Sequence, residues 1–494
     1  MSSIHTLIRN VSVVDGSGAD QETIDVAIGD ERIVALGPAL TMDAENAIDG
    51  EGLVLTPGFI DAHTHDDLCA IRSPQMLAKL SQGVTTVIVG NCGISAAPVQ
   101  LRGRAPDPMN LLGAAEEFRF PTFAGYKRAL NEARPAVNVA ALVGHTALRN
   151  NHMDRLDRSA TDAEIEAMRA QLQEALDEGA LGLSTGLAYL SAQAASTEEV
   201  LQLAQPLRAA GAVYATHMRN EGGQICEAMQ EAFEIGRRAG VPVILSHLKC
   251  AGIENWGRSG EVLQALDEAR GTQQVGCDCY PYAASSTTLD VRQVDTRVEI
   301  RITWSEPHPG EAGKTLAQIA RGWNVTQQEA AERLQPAGAI YHAMHEKDVQ
   351  RILQHPATMI GSDGLPCDPM PHPRLWGTFP RVLGRYCREE NLFSLCTAAH
   401  KMTGMPAQRF GLAERGLIRE GYFADLTLFD PLRIKDTATF SDPMRAAEGV
   451  RGVWVNGALA YNAQGSTGLR AGRFVPLAVR ADASRVPRKK ETRD

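Results

Sequence analysis

The sequence predicts an α/β fold: a (β/α)8 TIM-like barrel, a β-sandwich built from both chain ends, and a small inserted subdomain. Three observations carry this. From Gly58 onward, apolar strand-like runs alternate with helical ones over roughly 350 residues, the pattern of a parallel sheet covered by helices. The polar residues of chemical interest fall at the C-terminal ends of the strand-like runs. In a closed barrel those ends share one face, which carries the active site. Short β-rich stretches also recur at both ends of the chain, each too small to bury a core alone. A doubly wound sheet is the weaker alternative.

Residues 1–57 alternate β-rich runs with turns: LIRNVSVVD, TIDVAIGDERIVALG and GLVLTPG, punctuated by Asp, Gly and Pro. The same texture returns in GYFADLTLFD and VRGVWVNGALAYN, the latter with an Asn-Gly turn at Asn456 and Gly457. Pairing these two ends gives residues 1–57 and 412–480 as the parts of one β-sandwich, with the barrel at 58–411. The charged residues 481–494 read as a flexible tail.

Within the barrel, GFIDAHTHDD, GVTTVIVGNCG, NVAALVGH, ALGLSTGLAY, AVYATHMRNE, VPVILSHLKC, QVGCDCYPY and PATMIGSDG are the strands in order. Between them, Thr161 and Glu164 form a capping box, and Ile165, Met168, Leu172 and Leu176 fall on one helical face. Ser196 and Glu199 are placed to form the next box. Residues 285–345 are too long for a simple βα loop. They read as an inserted subdomain that covers or shapes the pocket.

Composition narrows the function. The 494 residues have a net charge of −10, which argues against nucleic acid as a partner. No run of about 18 apolar residues predicts a membrane span, and the N-terminus lacks the basic and apolar regions of a signal peptide. The nine cysteines are spread thinly and read as reduced, cytoplasmic thiols. Oligomeric state is left open.

His63 and His65 are two apart on a strand, so both imidazoles face the same way. Alone, the pair reads equally well as a polar strand end. Together with Cys92, His217, His247 and Asp363, each closing a later apolar run, it becomes a zinc-type donor set of nitrogen, sulfur and oxygen.

GFIDAHTHDD, GVTTVIVGNCGIS, YATHMRNE, ILSHLK, YPYAASST, GSDGLP and HPRLWGTFPRVLGRY resemble the N-acyl-D-amino-acid deacylases, or D-aminoacylases, of the metal-dependent amidohydrolase superfamily. NWGRS, RITWSEPHP and AGAIY look most similar to the N-acyl-D-glutamate deacylase branch. The resemblance implies a tight zinc site at Cys92, His217 and His247, and a weaker second position at His63, His65 and Asp363. Many relatives bridge two metals with a carboxylated lysine. No lysine stands at a strand end between Gly83 and His217, and Cys92 is similar to a replacement for that bridge.

Amide hydrolysis needs an activated water, a polarised carbonyl and a proton for the leaving amine. Asp363 is the expected general base and acid, and Tyr189 a possible oxyanion donor. The substrate expected is a small N-acyl-D-amino acid. Arg374 suits its carboxylate, and the resemblance implies Tyr280 and Ser286 as further contacts. Lys249 and Arg301 are expected to favour an acidic side chain such as D-glutamate. The alternatives are a broad D-aminoacylase that prefers neutral side chains, and a hydantoinase-type cyclic-amide hydrolase, which predicts the missing lysine.

Overall fold

The structure is a computed structural model and describes residues 4–478; the tail expected at 481–494 lies outside them. At the N-terminus, β1 (Ile4–Val13), β2 (Glu22–Gly29), β3 (Arg32–Gly37), β4 (Asn46–Asp49) and β5 (Val54–Pro57) form part of a nine-stranded sheet. Next come β6 (Phe59–Asp61), β7 (Val84–Val89), β8 (Asn138–Ala141), β9 (Val143–Gly144), β10 (Gly182–Gly186), β11 (Val213–His217), β12 (Val243–Leu245) and β13 (Val275–Cys279). An antiparallel trio follows: β14 (Ser285–Thr288), β15 (Ile300–Ser305) and β16 (Ala337–Tyr341). β17 (Thr358–Ile360) returns to the parallel strands, and β18 (Leu426–Phe429), β19 (Val450–Val455), β20 (Ala458–Asn462) and β21 (Gly465–Ser466) are the last strands among the described residues.

Parallel pairing runs β6–β7–β8, then β9–β10–β11–β12–β13–β17. β8 and β9 are one strand interrupted at Leu142, whose N–H still donates to Val89. The ring closes between β6 and β17: Ala62 N–H donates to the Ile360 carbonyl and Asp363 N–H to the His63 carbonyl.

The strands are apolar on both faces because both faces are buried. Ile60, Ile88, Ala140, Leu142, Val213, Ile244 and Met359 point into the ring. Their neighbours Val87, Val89, Val139, Val143, Tyr214 and Val243 point outward against the helices. This is the period-two alternation of a strand serving two cores. The helix Asp162–Asp177 packs Ile165, Met168, Leu172 and Leu176 inward and carries the Thr161–Glu164 capping box.

The second expected box is half formed. Ser196 caps the Glu199 N–H, but the Glu199 carboxylate turns to buried His145 and Arg149. A buried arginine demands that carboxylate more than a solvent-facing cap does.

The two chain ends meet where β5 pairs antiparallel with β18. They form one hydrogen-bonded sheet around its own core of Ile8, Val26, Ile28, Leu55, Leu426 and Trp454. Asn456 and Gly457 take positive φ (47° and 79°) and turn β19 into β20, as an Asn-Gly hairpin requires. β14–β16, with the helices Leu316–Trp323 and Gln327–Leu334, enclose a further core of Leu289, Ile300, Ile302, Leu316 and Leu334. Among the described residues no helix is long and apolar enough to cross a membrane.

Candidate metal and active site

The C-terminal ends of the ring strands open into a cavity of about 1110 Å³. His65, His217, His247, Asp363, Tyr189, Lys249, Tyr280 and Ser286 all line it. Cys92 follows β7, His217 ends β11, and His247 and Asp363 follow β12 and β17. Cys92, His247 and Asp363 have φ of 54°, 37° and 48°. Left-handed backbone is costly for such residues and concentrates at functional sites.

Cys92 Sγ lies 3.3 Å from both His63 Nε2 and His247 Nε2. Asp363 Oδ1 is 3.5 Å from His63 Nε2 and 3.2 Å from His65 Nε2. One donor atom from each of His63, Cys92, His247 and Asp363 falls within 4.8 Å of the others. The His217 ring is 4.5 Å from the His247 ring, and the buried Nδ1 atoms of His65 and His217 find no partner among the described residues. All six expected ligands are thus brought together.

Burial alone would raise the Cys92 thiol, but His63 and His247 outweigh it and hold it well below its ordinary range. Burial likewise opposes ionisation of Asp363, and Arg374 and His247 reverse that. For His65, burial opposes protonation, yet Asp363 and Cys92 raise it to about 9. A thiolate, imidazoles and a carboxylate converging with unpartnered ring nitrogens fit a borderline-soft cation such as zinc.

Residues not singled out in the sequence brace this set. Asp278, two residues after Gly276 on β13, sits 3.2 Å from His63 Nδ1 and accepts the His247 N–H at 2.9 Å. Glu221 lies 2.9 Å from His247 Nδ1 and 2.6 Å from Lys249 Nζ. Asp278 carried the same strand-end signal as the ligands. Glu221 lies in a loop and carried none.

Arg374 is fully buried and does not line the cavity surface. Its Nη2 is 2.9 Å from Asp363 Oδ2 and donates to the Ser286 carbonyl at 2.9 Å. Its guanidinium stacks 4.5 Å over the Tyr280 ring. Arg374 Nε and Nη1, the Tyr280 hydroxyl and the Ser286 Oγ have no partner among the described residues. Buried polar atoms without partners are rare in folded proteins, and these four lie on adjoining residues. The Tyr189 hydroxyl pairs with Thr287 at 2.9 Å, and its ring sits 4.8 Å from the His217 ring.

Arg301 corrects the expectation for the side-chain pocket. Its Nη1 donates to the Gly313 carbonyl and its Nη2 pairs with Glu299 at 2.7 Å, away from the cavity. On β15 its side chain takes the partners its own sheet edge offers. The cation that lines the cavity from this subdomain is Arg292, paired with Asp290.

The amidohydrolase family model matches residues 46–292 and 272–461. An N-acyl-D-aspartate deacylase from Alcaligenes xylosoxydans xylosoxydans is 49% identical over 95% of this chain and 94% of its own length.

The chain belongs to the D-aminoacylase family of the amidohydrolases.

A D-aminoacylase structure described as having a binuclear metal centre, with one-metal activation and second-metal attenuation, superposes on this enzyme with a TM-score of 0.94. The two are 48% identical, covering 96% of this chain and 100% of the other. An N-acyl-D-glutamate deacylase from Bordetella bronchiseptica was solved with zinc and a phosphonate mimic of the tetrahedral intermediate. It matches at 44% identity and TM-score 0.92, with coverage of 96% and 100%. These identities lie close together and single out no branch by side-chain preference.

Proposed function

We propose that this enzyme hydrolyses the amide bond of N-acyl-D-amino acids to a carboxylate and a free D-amino acid, with N-acyl-D-glutamate preferred. The observation that carries the reading is Asp363, held among His63, His65 and Arg374, beside four unpartnered polar atoms of Arg374, Tyr280 and Ser286.

Cys92, His217 and His247 would hold a zinc ion, with His63, His65 and Asp363 at a second position, and the bound metal would supply the Lewis acidity that polarises a carbonyl and lowers the pKa of water. Arg374 fixes Asp363 Oδ2, which leaves Oδ1, the oxygen turned toward His63 and His65, to take the proton of the attacking water. The same oxygen returns that proton to the leaving nitrogen. Tyr280 and Ser286 line the cavity and, with Arg374 packed directly behind them, offer donors for the α-carboxylate. Tyr189 stands beside His217, where the carbonyl oxygen would gain charge. The subdomain over the cavity excludes water during turnover. The nine free cysteines suit a reducing, cytoplasmic setting.

The acidic preference rests on Lys249 and Arg292, which line the cavity although each has an acidic partner, Glu221 and Asp290; Arg292 takes the place first expected of Arg301. A second reading, a broad D-aminoacylase, is favoured by the apolar cavity walls at Leu190, Ile253, Leu289 and Val291. An assay of zinc-loaded enzyme on N-acetyl-D-glutamate, N-acetyl-D-aspartate, N-acetyl-D-leucine and their L-enantiomers separates the two. The expected result is D-glutamate release above the rest; preference for D-leucine keeps the chemistry and discards the acidic pocket.

Lys249→Ala is expected to lower kcat/KM for the acidic substrate by about 10-fold or more, the worth of a hydrogen bond to a charged group. Arg301→Ala should stay within about twofold of the parent, as a surface pair's loss does. A large Arg301→Ala effect would reinstate the residue. Dialysis against a chelator should abolish turnover. On titration back with zinc, activity is expected to be complete near one zinc per chain, read by metal analysis alongside rate; a maximum only at two would make the second position essential.

A further inference from the structure

Beneath the cavity, out of reach of any substrate, lies a lysine with no surface exposure. Lys79, on the short helix Leu77–Leu80 before β7, places its ammonium 2.8 Å from Asp61 Oδ2 and 3.0 Å from Asp66 Oδ2. It also donates to Thr64 Oγ1 at 2.9 Å and to Ser362 Oγ at 3.0 Å. Every polar partner stands within two residues of an expected metal ligand: Asp61 is two before His63, Thr64 and Asp66 flank His65, and Ser362 precedes Asp363.

The two segments are laced together around that ammonium. Asp61 Oδ1 accepts the Ser362 N–H at 2.7 Å and Asp61 Oδ2 the Ser362 hydroxyl at 2.6 Å. Ser362 Oγ accepts the Gly364 N–H. The Asp363 N–H donates to the His63 carbonyl and the His65 N–H to the Gly364 carbonyl. Asp363 sits in this lacing with its strained φ of 48°, and such a conformation persists only where its surroundings over-determine it.

We propose that Lys79 is a positioning residue. Its ammonium locks the His63–His65 segment to the Ser362–Gly364 turn, and so sets the distance of Asp363 from the two imidazoles. Burying a lysine beside two carboxylates is expensive, and a packing role alone is met as well by an apolar side chain. What the ammonium adds is three directional hydrogen bonds and an ion pair to Asp66, at the two segments that carry the site. The proposal rests on the reading of that site as the catalytic centre.

Three forms of the full chain test it: parent, Lys79→Met and Ser362→Ala. Zinc affinity by chelator competition needs no substrate; kcat and KM use N-acetyl-D-glutamate. Removing groups that hold metal ligands in place typically costs about 10- to 100-fold. Lys79→Met is expected to lower kcat by that factor and weaken the weakest-bound zinc equally, with KM within about threefold. Ser362→Ala should show the same pattern less strongly. Variants that melt earlier yet keep the parent's kcat and zinc affinity would overturn the proposal and leave Lys79 a structural residue. If Lys79→Met fails to fold, Ser362→Ala decides alone: parent-like kcat and zinc affinity count against it. If the parent itself turns over none of the substrates, the deacylase reading fails, while the zinc measurements still decide on Lys79.

Discussion

Replacing Asp363 by asparagine is expected to lower kcat by about 10²- to 10⁴-fold, the range of a positioned acid–base group. Asparagine keeps the volume and one hydrogen-bonding oxygen, so contact with His63 and His65 can persist. It cannot take a proton from water and pass it to the leaving amine. The change also leaves the fully buried Arg374 without its carboxylate at 2.9 Å. Uncompensated buried charge is destabilising, so a lower melting temperature should accompany the loss. Steady-state kinetics at zinc saturation, with melting measured in parallel, checks this. A folded, zinc-loaded Asp363→Asn enzyme within tenfold of the parent kcat would remove Asp363 from the proton-transfer role.

Replacing Arg374 by methionine is expected to lower kcat/KM by on the order of 10²- to 10³-fold. Truncating one partner of a buried, hydrogen-bonded charge pair costs about 2–5 kcal/mol, and this arginine serves two groups. Its Nη2 steadies Asp363, and its Nε and Nη1 are free of partners among the described residues, beside the equally free Tyr280 and Ser286 hydroxyls. If those donors hold the substrate's α-carboxylate, the parent should strongly prefer N-acetyl-D-glutamate to its α-amide. Arg374→Met should lose most of that preference, and Arg374→Lys, with a charge but no fork, should recover only part. Unchanged discrimination in Arg374→Met would confine Arg374 to supporting Asp363.

Much of the fold was legible because it rests on local periodicity. Strands such as VTTVIV and NVAA have to be buried, and so largely apolar, on both faces when a ring of strands packs a core inside and helices outside. The Asn456-Gly457 turn and the Thr161 cap are set by backbone geometry that few other residues satisfy. Glu199 leaves its box because its carboxylate's partner, Arg149, lies fifty positions away in sequence. A capping box is read from four adjacent residues and cannot register a competitor so remote.

The candidate site divides the same way. The sequence by itself determined which candidate donors meet, because six ligand-type residues close five apolar strands and a parallel ring must gather strand ends at one mouth. Only the tertiary structure decided which charges serve that mouth. Arg301 and Arg292 are nine residues apart in one subdomain and each has an acidic partner, Glu299 and Asp290, yet of the two only Arg292 lines the cavity. Glu221 reaches His247 and Lys249 from a loop, and Lys79 reaches Ser362 across 283 positions. Such pairings depend on how loops and side-chain torsions close over the strand ends, a long-range packing outcome that strand periodicity does not encode.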